Sequence, residues 1–228
     1  MLQDIADPSQ IEPTTFRSWL RILAAVPNAV LWLLRFPDLG EPNLRAMARS
    51  WASEEVASRI IFTDVAPKPL HISRAQVCDL FLDTPECNAH TTAADVLWSG
   101  TPLLTLPRHK HKMCSRIAAS ILRAAVPQTE VGRAMADSLV AEDDDGYERR
   151  AIQLASELSY RVGGQGEATG ELTEIRKVLF TGRWTSELFN TKRWVSDLED
   201  AYEEAWRRWV VGEDGDIDLK ALKPGGRY

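Results

Sequence analysis

Three basic side chains, Lys68, His71 and Arg74, recur at three-residue steps just after a short apolar run that ends near Thr63. A helix turns by about 100° per residue, so this spacing keeps an ammonium, an imidazole and a guanidinium group on one broad face. At the carboxyl end of a parallel strand such a cluster suits an anionic ligand, because ligands of open α/β sheets collect there. A solvated basic face that binds nothing is the alternative, and spacing alone favours it.

A second segment, residues 82–95, runs from the end of an apolar stretch through a polar loop into a predicted helix. The first turn of that helix offers free backbone N–H groups and the hydroxyls of Thr91 and Thr92, which together suit a phosphate or pyrophosphate. Asp95 lies one turn further and is able to accept hydrogen bonds from a ribose diol. The spacing from Thr92 to Asp95 is also that of a capping box, which needs no ligand.

A dense basic loop at residues 108–112 follows the apolar run that ends at Leu106. It predicts either a flexible lid over phosphates or an ordinary solvated loop, and the solvated loop is the more common case. His109 and His111 have no suitably spaced carboxylate or thiolate ligand nearby apart from Cys114, so no metal site is predicted. The chain has three cysteines without CxxC spacing, which indicates reduced thiols.

Composition narrows the possible partners and locations. The 27 basic and 33 acidic residues leave a net charge of −6, which gives no general attraction to nucleic acid. The most apolar stretch, residues 19–36, contains two arginines, a proline and an asparagine, so no membrane span is predicted. Because residues 1–7 do not resemble a signal or transit peptide, we expect a cytoplasmic or nuclear location.

Short β-favouring runs alternate with helix-like segments in the first half of the chain, which predicts an α/β fold with a parallel sheet and helices on both faces. Beyond about residue 127 only helices are predicted, the last with an aromatic stripe that we expect to be buried. The glycine-rich residues 161–166 follow a helix, not a strand, and are a poor dinucleotide cradle. The predicted strands are 29–36, 60–63, 79–83 and 103–106; the predicted helices are 13–26, 42–53, 70–78, 91–100, 115–125, 147–160 and 191–211; the stripe is Trp194, Leu198, Tyr202, Ala205, Trp206 and Trp209.

The sequence resembles the C-terminal half of the catalytic region of the nucleocytoplasmic protein O-GlcNAc transferases. The resemblance extends over about residues 11–211, with residues 1–10 poorly matched and residues 212–228 forming a polar tail. The matching stretches are VPNAVLWLLRFP (26–37), GEPN (40–43), RIIF (59–62), VAPK (65–68), LDTP (82–85), HTT (90–92), DVLWSGTP (95–102), SRIAAS (115–120) and LFNTK (188–192).

The resemblance implies one Rossmann-like half of a glycosyltransferase B-type fold with an all-helical C-terminal extension. It also implies metal-independent transfer of N-acetylglucosamine from UDP-GlcNAc to Ser or Thr hydroxyls of proteins, with no cofactor and no catalytic residue assigned in this half. In the family pattern, the matching residues would bind the donor as follows: the Ala66 backbone and Arg74 the uracil, His71 the nucleoside, Lys68 and Asp95 the ribose, and Thr91 and Thr92 the diphosphate, with His90 completing the motif.

Two departures from the family pattern matter. A lysine that contacts the diphosphate in the family is replaced by Gln10, and we expect the strand before it to be absent together with its glutamine, with Asp7 near the place of that glutamine. The acceptor-side N-terminal half and the tetratricopeptide repeats are also missing. Two hypotheses follow: the chain is the donor-binding half of an O-GlcNAc transferase, or it is a non-catalytic UDP-binding or scaffold module. If the other half is missing, the aromatic stripe would be exposed.

Overall fold

A five-stranded parallel sheet lies at the centre of the computed structural model, which describes residues 2–3, 11–35, 37–160 and 168–218. The spatial order is β3-β2-β1-β4-β5, and the predicted parallel sheet is thereby confirmed. Continuous apolar runs such as that of β2 suit a sheet covered on both faces. The strands are β1 (Leu2–Gln3), β2 (Leu31–Leu34), β3 (Ile60–Thr63), β4 (Leu80–Leu82) and β5 (Leu103–Leu104).

The central strand β1 corrects one sequence prediction. Leu2 pairs with Leu31 and Leu80, so this strand joins β2 to β4 in the middle of the sheet. The expectation that the strand before Gln10 is absent was therefore wrong, and a glutamine, Gln3, ends it. Two residues are too few for any periodic signal, which is why this strand was not predicted from the sequence. Gln10 and Asp7 lie outside the described residues, as does the loop at 161–166.

Ten α-helices are described, and local caps explain where several of them begin. α4 starts two residues earlier than predicted, since Pro69 fits the first turn of a helix. α8 starts at Asp144 because the Asp143 carboxylate accepts a hydrogen bond from the Gly146 N–H at 2.6 Å, so the acidic turn is the helix start. The helices are α1 (Pro13–Ala25), α2 (Gly40–Trp51), α3 (Glu54–Ser58), α4 (Lys68–Ala75), α5 (Thr91–Trp98), α6 (Ile117–Ala125), α7 (Glu130–Ser138), α8 (Asp144–Glu157), α9 (Glu171–Gly182) and α10 (Thr191–Val211).

The helices after residue 127 share one hydrophobic core with the sheet. α7, α8 and α9 bury Ala136, Leu154 and Leu179 in the same cluster as the strands. The prediction of helices alone needs correction at two isolated bridges: Val140 forms a parallel bridge to Thr105 beside β5, and Ser159 forms an antiparallel bridge to Thr169. A single-residue bridge leaves no pattern in the sequence. This helical segment therefore braces the edge of the sheet.

The last described helix, α10, exposes the aromatic stripe that was expected to be buried. It contains no buried residue, and Trp194, Tyr202, Trp206 and Trp209 are 63%, 66%, 66% and 72% exposed. The prediction that the stripe is buried was wrong, because the described part of the chain places nothing over that face. No helix among the described residues is both long and apolar enough to cross a membrane.

Candidate functional site

The carboxyl edge of the sheet carries the two segments that the sequence singled out. Residues 64–67 lead from β3 into α4, and residues 83–90 lead from β4 into α5. Because the strands are parallel, both loops leave the sheet on the same edge. The site is therefore built from two loop-to-helix junctions that are separated in the sequence.

An ion pair joins the two helices at this edge. The Lys68 Nζ atom lies 3.2 Å from Asp95 Oδ1, with the lysine side chain 67% exposed and the carboxylate 18% exposed. Such an exposed pair contributes little to stability. Its importance is positional, because it brings together two residues that the resemblance assigns to one ribose.

Arg74 lies in the last turn of α4, at the opposite end of the helix from Lys68. Its Nη1 donates to the Asp64 carbonyl at 3.0 Å, and its guanidinium carbon lies 5.3 Å from the centre of the Trp32 ring. The Nε and Nη2 atoms are buried, and neither has a hydrogen-bond partner among the described residues. Buried polar atoms are normally hydrogen bonded, so these are two donors for which the described residues supply no acceptor.

His71 and Ala66 complete the nucleoside side of the site. Burial lowers the pKa of His71, with repulsion by Arg74 and Lys68 in the same direction and attraction by Asp95 opposing it. The imidazole is therefore neutral near pH 7 and suited to packing against a ring. Ala66 lies half-buried in the loop between β3 and α4, close in sequence to the start of the helix.

The N-terminus of α5 has no side-chain cap. His90 occupies the N-cap position, and its side chain makes no hydrogen bond to the first turn. The capping-box interpretation of Thr92 and Asp95 was therefore wrong, because Thr92 lies inside the helix. His90 and Thr91 are exposed and Thr92 is half-buried, so N–H groups and hydroxyls of this turn can reach a ligand.

Asp83 is a polar residue of this site that sequence reasoning did not single out. It is completely buried, and its carboxylate accepts hydrogen bonds from the Ala89 N–H at 2.7 Å and the Thr105 hydroxyl at 2.6 Å. Burial raises the pKa of Asp83 to about 7, although hydrogen bonds from Thr105, Ala89 and Thr84 oppose the rise. The sequence signal that could have identified Asp83 is an acidic residue directly after an apolar strand.

The basic loop at residues 108–112 is tied down by Glu86, which lies in the loop before α5. His109 Nε2 lies 2.7 Å from Glu86 Oε1, and Arg108 and Lys112 each approach the carboxylate at 3.3 Å. The hydrogen bond from His109 is the main cause that lowers the pKa of Glu86 to about 2. The loop is thus neither a free lid nor fully solvated in this structure.

Metal-binding side chains do not converge in the part of the chain that the structure describes. Within residues 11–35, 37–160 and 168–218, no group of three or more His, Cys, Asp or Glu side chains could hold a metal ion. Cys78, Cys87 and Cys114 form no disulfide bond among the described residues.

Comparison with known proteins decides the family. The model of glycosyl transferase family 41 matches residues 5–198, which is most of the chain. The chain belongs to glycosyl transferase family 41. This confirms the resemblance to the O-GlcNAc transferases that the sequence motifs indicated.

Curated relatives agree with this assignment. The family 41 chain is 39% identical over 204 residues to the probable UDP-N-acetylglucosamine--peptide N-acetylglucosaminyltransferase SEC of Arabidopsis thaliana, and 36% identical over 204 residues to the UDP-N-acetylglucosamine--peptide N-acetylglucosaminyltransferase of Caenorhabditis elegans. These matches cover 90% and 89% of the chain but only 18% and 16% of the two relatives. The chain therefore spans less than a fifth of the length of these relatives.

A solved structure supports the fold. A mutant O-GlcNAc transferase of Thermobaculum terrenum superposes with a TM-score of 0.70 at 23% sequence identity, over 90% of this chain and 36% of that one. At this identity the likeness concerns the fold alone. The mixed helix and sheet arrangement of the family 41 chain is thus shared with a bacterial O-GlcNAc transferase.

Proposed function

We propose that this family 41 chain binds UDP-GlcNAc at the carboxyl edge of its sheet and serves as the donor-binding part of a protein O-GlcNAc transferase. It would form one Rossmann-like half of a glycosyltransferase B-type fold. The observation that carries the proposal is the Lys68–Asp95 pair, in which two residues of the donor motif meet across two helices at 3.2 Å. The names of the two curated relatives supply the donor substrate and the protein acceptor of this proposal.

The side chains fit the successive parts of a uridine diphosphate. Arg74 and the backbone of Ala66 would hold the uracil, since Arg74 has two buried N–H donors available. A neutral His71 would pack against the nucleoside, and the Lys68–Asp95 pair would bind the ribose hydroxyls. The diphosphate would then lie at the uncapped start of α5, beside His90, Thr91 and Thr92.

The proposed reaction uses these donors at the leaving group. A Ser or Thr hydroxyl of the acceptor protein attacks the anomeric carbon of N-acetylglucosamine, the bond from that carbon to the β-phosphate oxygen breaks, and UDP leaves. The hydroxyl proton passes to a base that we do not assign within this chain. The N–H groups of α5 would stabilise the charge that develops on UDP, so we propose transfer without a metal.

The acceptor side of the reaction is proposed to come from sequence outside this chain. The relatives are five to six times longer than the matched region, which leaves ample room for it. We expect the complete enzyme to act in the cytoplasm or nucleus, with no nucleic-acid partner. The alternative function is a UDP-binding module without transferase activity. It would be favoured if the chain binds UDP but no acceptor-side half restores transfer.

Calorimetric titration of the folded chain with UDP tests the proposal. Asp95→Ala should raise the dissociation constant about tenfold or more, because a hydrogen bond to a charged group is worth about 1.5–3 kcal/mol. Asp137→Ala is the matched control, since Asp137 also lies on a helix and pairs with an arginine, Arg123, at 2.9 Å. Absence of UDP binding by the folded wild type, or equal losses in both variants, would contradict the proposal.

A further inference from the structure

A buried carboxylate lies directly beneath the proposed diphosphate site. Asp83 is the first residue after β4 and has no exposed surface. One oxygen accepts from the Ala89 N–H and the other from the Thr105 hydroxyl, so the side chain joins its own loop to the segment after β5. Burial of a carboxylate is costly unless it is hydrogen bonded, and here hydrogen bonds reach both oxygens.

The backbone of Asp83 is fixed from the opposite side. The Tyr147 hydroxyl of α8 donates to the Asp83 carbonyl at 2.9 Å, and the Trp19 indole N–H of α1 donates to the Tyr147 oxygen at 3.2 Å. All three residues are buried. Asp83 therefore extends from a rigid anchor in the core.

The carboxylate reaches forward along the loop to its last turn. Residues 84–90 contain no regular element, and Ala89 is the residue before the His90 N-cap of α5. Two further hydrogen bonds stiffen the loop: the Thr84 hydroxyl donates to the Cys87 carbonyl at 2.6 Å, and the Asn88 amide donates to the Thr84 carbonyl at 3.0 Å. The Asn88 N–H also donates to the Cys114 carbonyl at 2.7 Å, and the bond from Ala89 to Asp83 fixes the residue directly before the His90 N-cap.

We infer that Asp83 is a positioning residue for the donor diphosphate, because its buried carboxylate holds the backbone that presents His90, Thr91 and Thr92. This inference rests on the proposed function. It assigns Asp83 no contact with the donor itself. Its main effect is on the phosphates, since the uracil and ribose residues lie in the loop before α4, on α4 and one turn inside α5.

The matched variants separate positioning from simple stability. Asp83→Ala removes both acceptors, whereas Asp83→Asn keeps an acceptor for the Ala89 N–H and offers an amide to Thr105. Thr105→Val removes one partner, and Thr101→Val is its control. Thr101 is equally buried and donates to the Ala75 carbonyl at 2.8 Å, but it lies before β5 at the other end of that strand.

The measured quantity is the ratio of the dissociation constants for uridine and UDP, determined for the full 228-residue chain by ligand-observed NMR. This ratio isolates the contribution of the phosphates. Asp83→Ala should lower the ratio about tenfold with uridine affinity unchanged, and Asp83→Asn should restore it to within about twofold of wild type. Thr105→Val should lower the ratio about threefold, and Thr101→Val should leave it unchanged.

Several results would overturn the inference. A folded Asp83→Ala chain with the wild-type ratio of dissociation constants would overturn it. If Asp95→Ala still weakens binding of both ligands in that case, the proposed function stands without the inference. If Asp83→Ala does not fold, equal ratios in the two threonine variants overturn the inference. Binding of neither ligand by the wild-type chain would refute the proposed function and the inference together.

Discussion

The first and last helices of the chain have similar apolar stripes and opposite surroundings. In α1, Phe16, Trp19 and Leu23 are almost completely buried, whereas α10 buries none of its residues. Both helices show apolar side chains at three- and four-residue steps. A stripe thus indicates which face of a helix is apolar, but it contains no information about what covers that face.

The difference comes from the partners that each helix meets. α1 packs on α8, where Trp19 and Tyr147 share a buried hydrogen bond and Arg21 pairs with Glu148. α10 is held near its start, where Arg193 pairs with Glu187 and the preceding Phe189 packs against Trp98. Further along, Arg207 and Arg208 pair with Glu204 of the same helix. α1 therefore belongs to the cooperative core, and most of α10 extends beyond it.

Tryptophan deletion gives the largest expected contrast between these helices. Trp19→Ala should lower the free energy of unfolding by about 3–5 kcal/mol, since it leaves a cavity and removes the indole N–H that donates to the buried Tyr147 oxygen. Trp206→Ala should change it by less than about 0.5 kcal/mol, because an exposed side chain loses few contacts. Urea unfolding followed by circular dichroism measures both. A loss of several kcal/mol for Trp206→Ala would show that the α10 face is covered in solution.

The stability contributions of Asp83 in the core and of Glu204 on α10 should depend on pH with opposite signs. Folded Asp83 keeps its proton up to about pH 7, whereas the unfolded chain releases it near the ordinary value of 3.8. Its contribution to stability is therefore present below pH 4 and is lost as the pH rises to 7. Hydrogen bonds from Arg207 and Arg208 lower the pKa of Glu204 on α10 to about 2, so its contribution is lost as the pH falls below 4.5.

Urea midpoints measured from pH 2 to pH 8 for wild type, Asp83→Asn and Glu204→Gln check these signs. The wild type should lose stability relative to Asp83→Asn between pH 4 and pH 7. Because α10 can fray separately, the contribution of Glu204 is read from amide exchange of α10, which should lose protection relative to Glu204→Gln as the pH falls from 4.5 towards 2. Parallel curves for wild type and Asp83→Asn would mean that the buried carboxyl does not titrate in this range.

Helix caps provide the smallest expected contrast. Asp143→Ala should cost about 1 kcal/mol of global stability, because the Asp143 carboxylate caps a helix of the core. Asn190→Ala removes a similar bond, from the Arg193 N–H at 3.1 Å, but should affect global unfolding less, since α10 can fray separately. Thermal unfolding of both variants, with amide exchange of α10, measures the difference. Equal global losses would show that α10 unfolds together with the core.

Sequence reasoning predicted the features that follow from local pattern and topology. It placed β3 at residues 60–63 and α10 at residues 191–211, and the parallel sheet explained why Lys68 and Asp95 meet. It missed what depends on distant partners. The two-residue strand β1 exists only through its pairing with β2 and β4, and the covering of a helix face depends on elements elsewhere in the chain.

The site shows the same division. The candidate donor residues on α4 and α5 were proposed from the sequence, because spacing brought them to two helix starts and the family resemblance gave them roles; those roles stay predictions. Asp83 was not, since its role depends on Ala89 and Thr105, six and twenty-two residues away. The capping-box interpretation failed because the loop enters α5 through His90.

The most direct test of the central claim is amide chemical-shift mapping of the isotope-labelled chain titrated with UDP. We expect the largest shifts at Ala66, Lys68 and residues 89–95, at the carboxyl edge of the sheet. The matched reference region is the cavity of about 310 Å³ at the opposite edge, lined by Gln76, Asp79 and Arg176, which should show no response. Saturable shifts confined to that cavity, or no shifts in a folded chain, would contradict the claim.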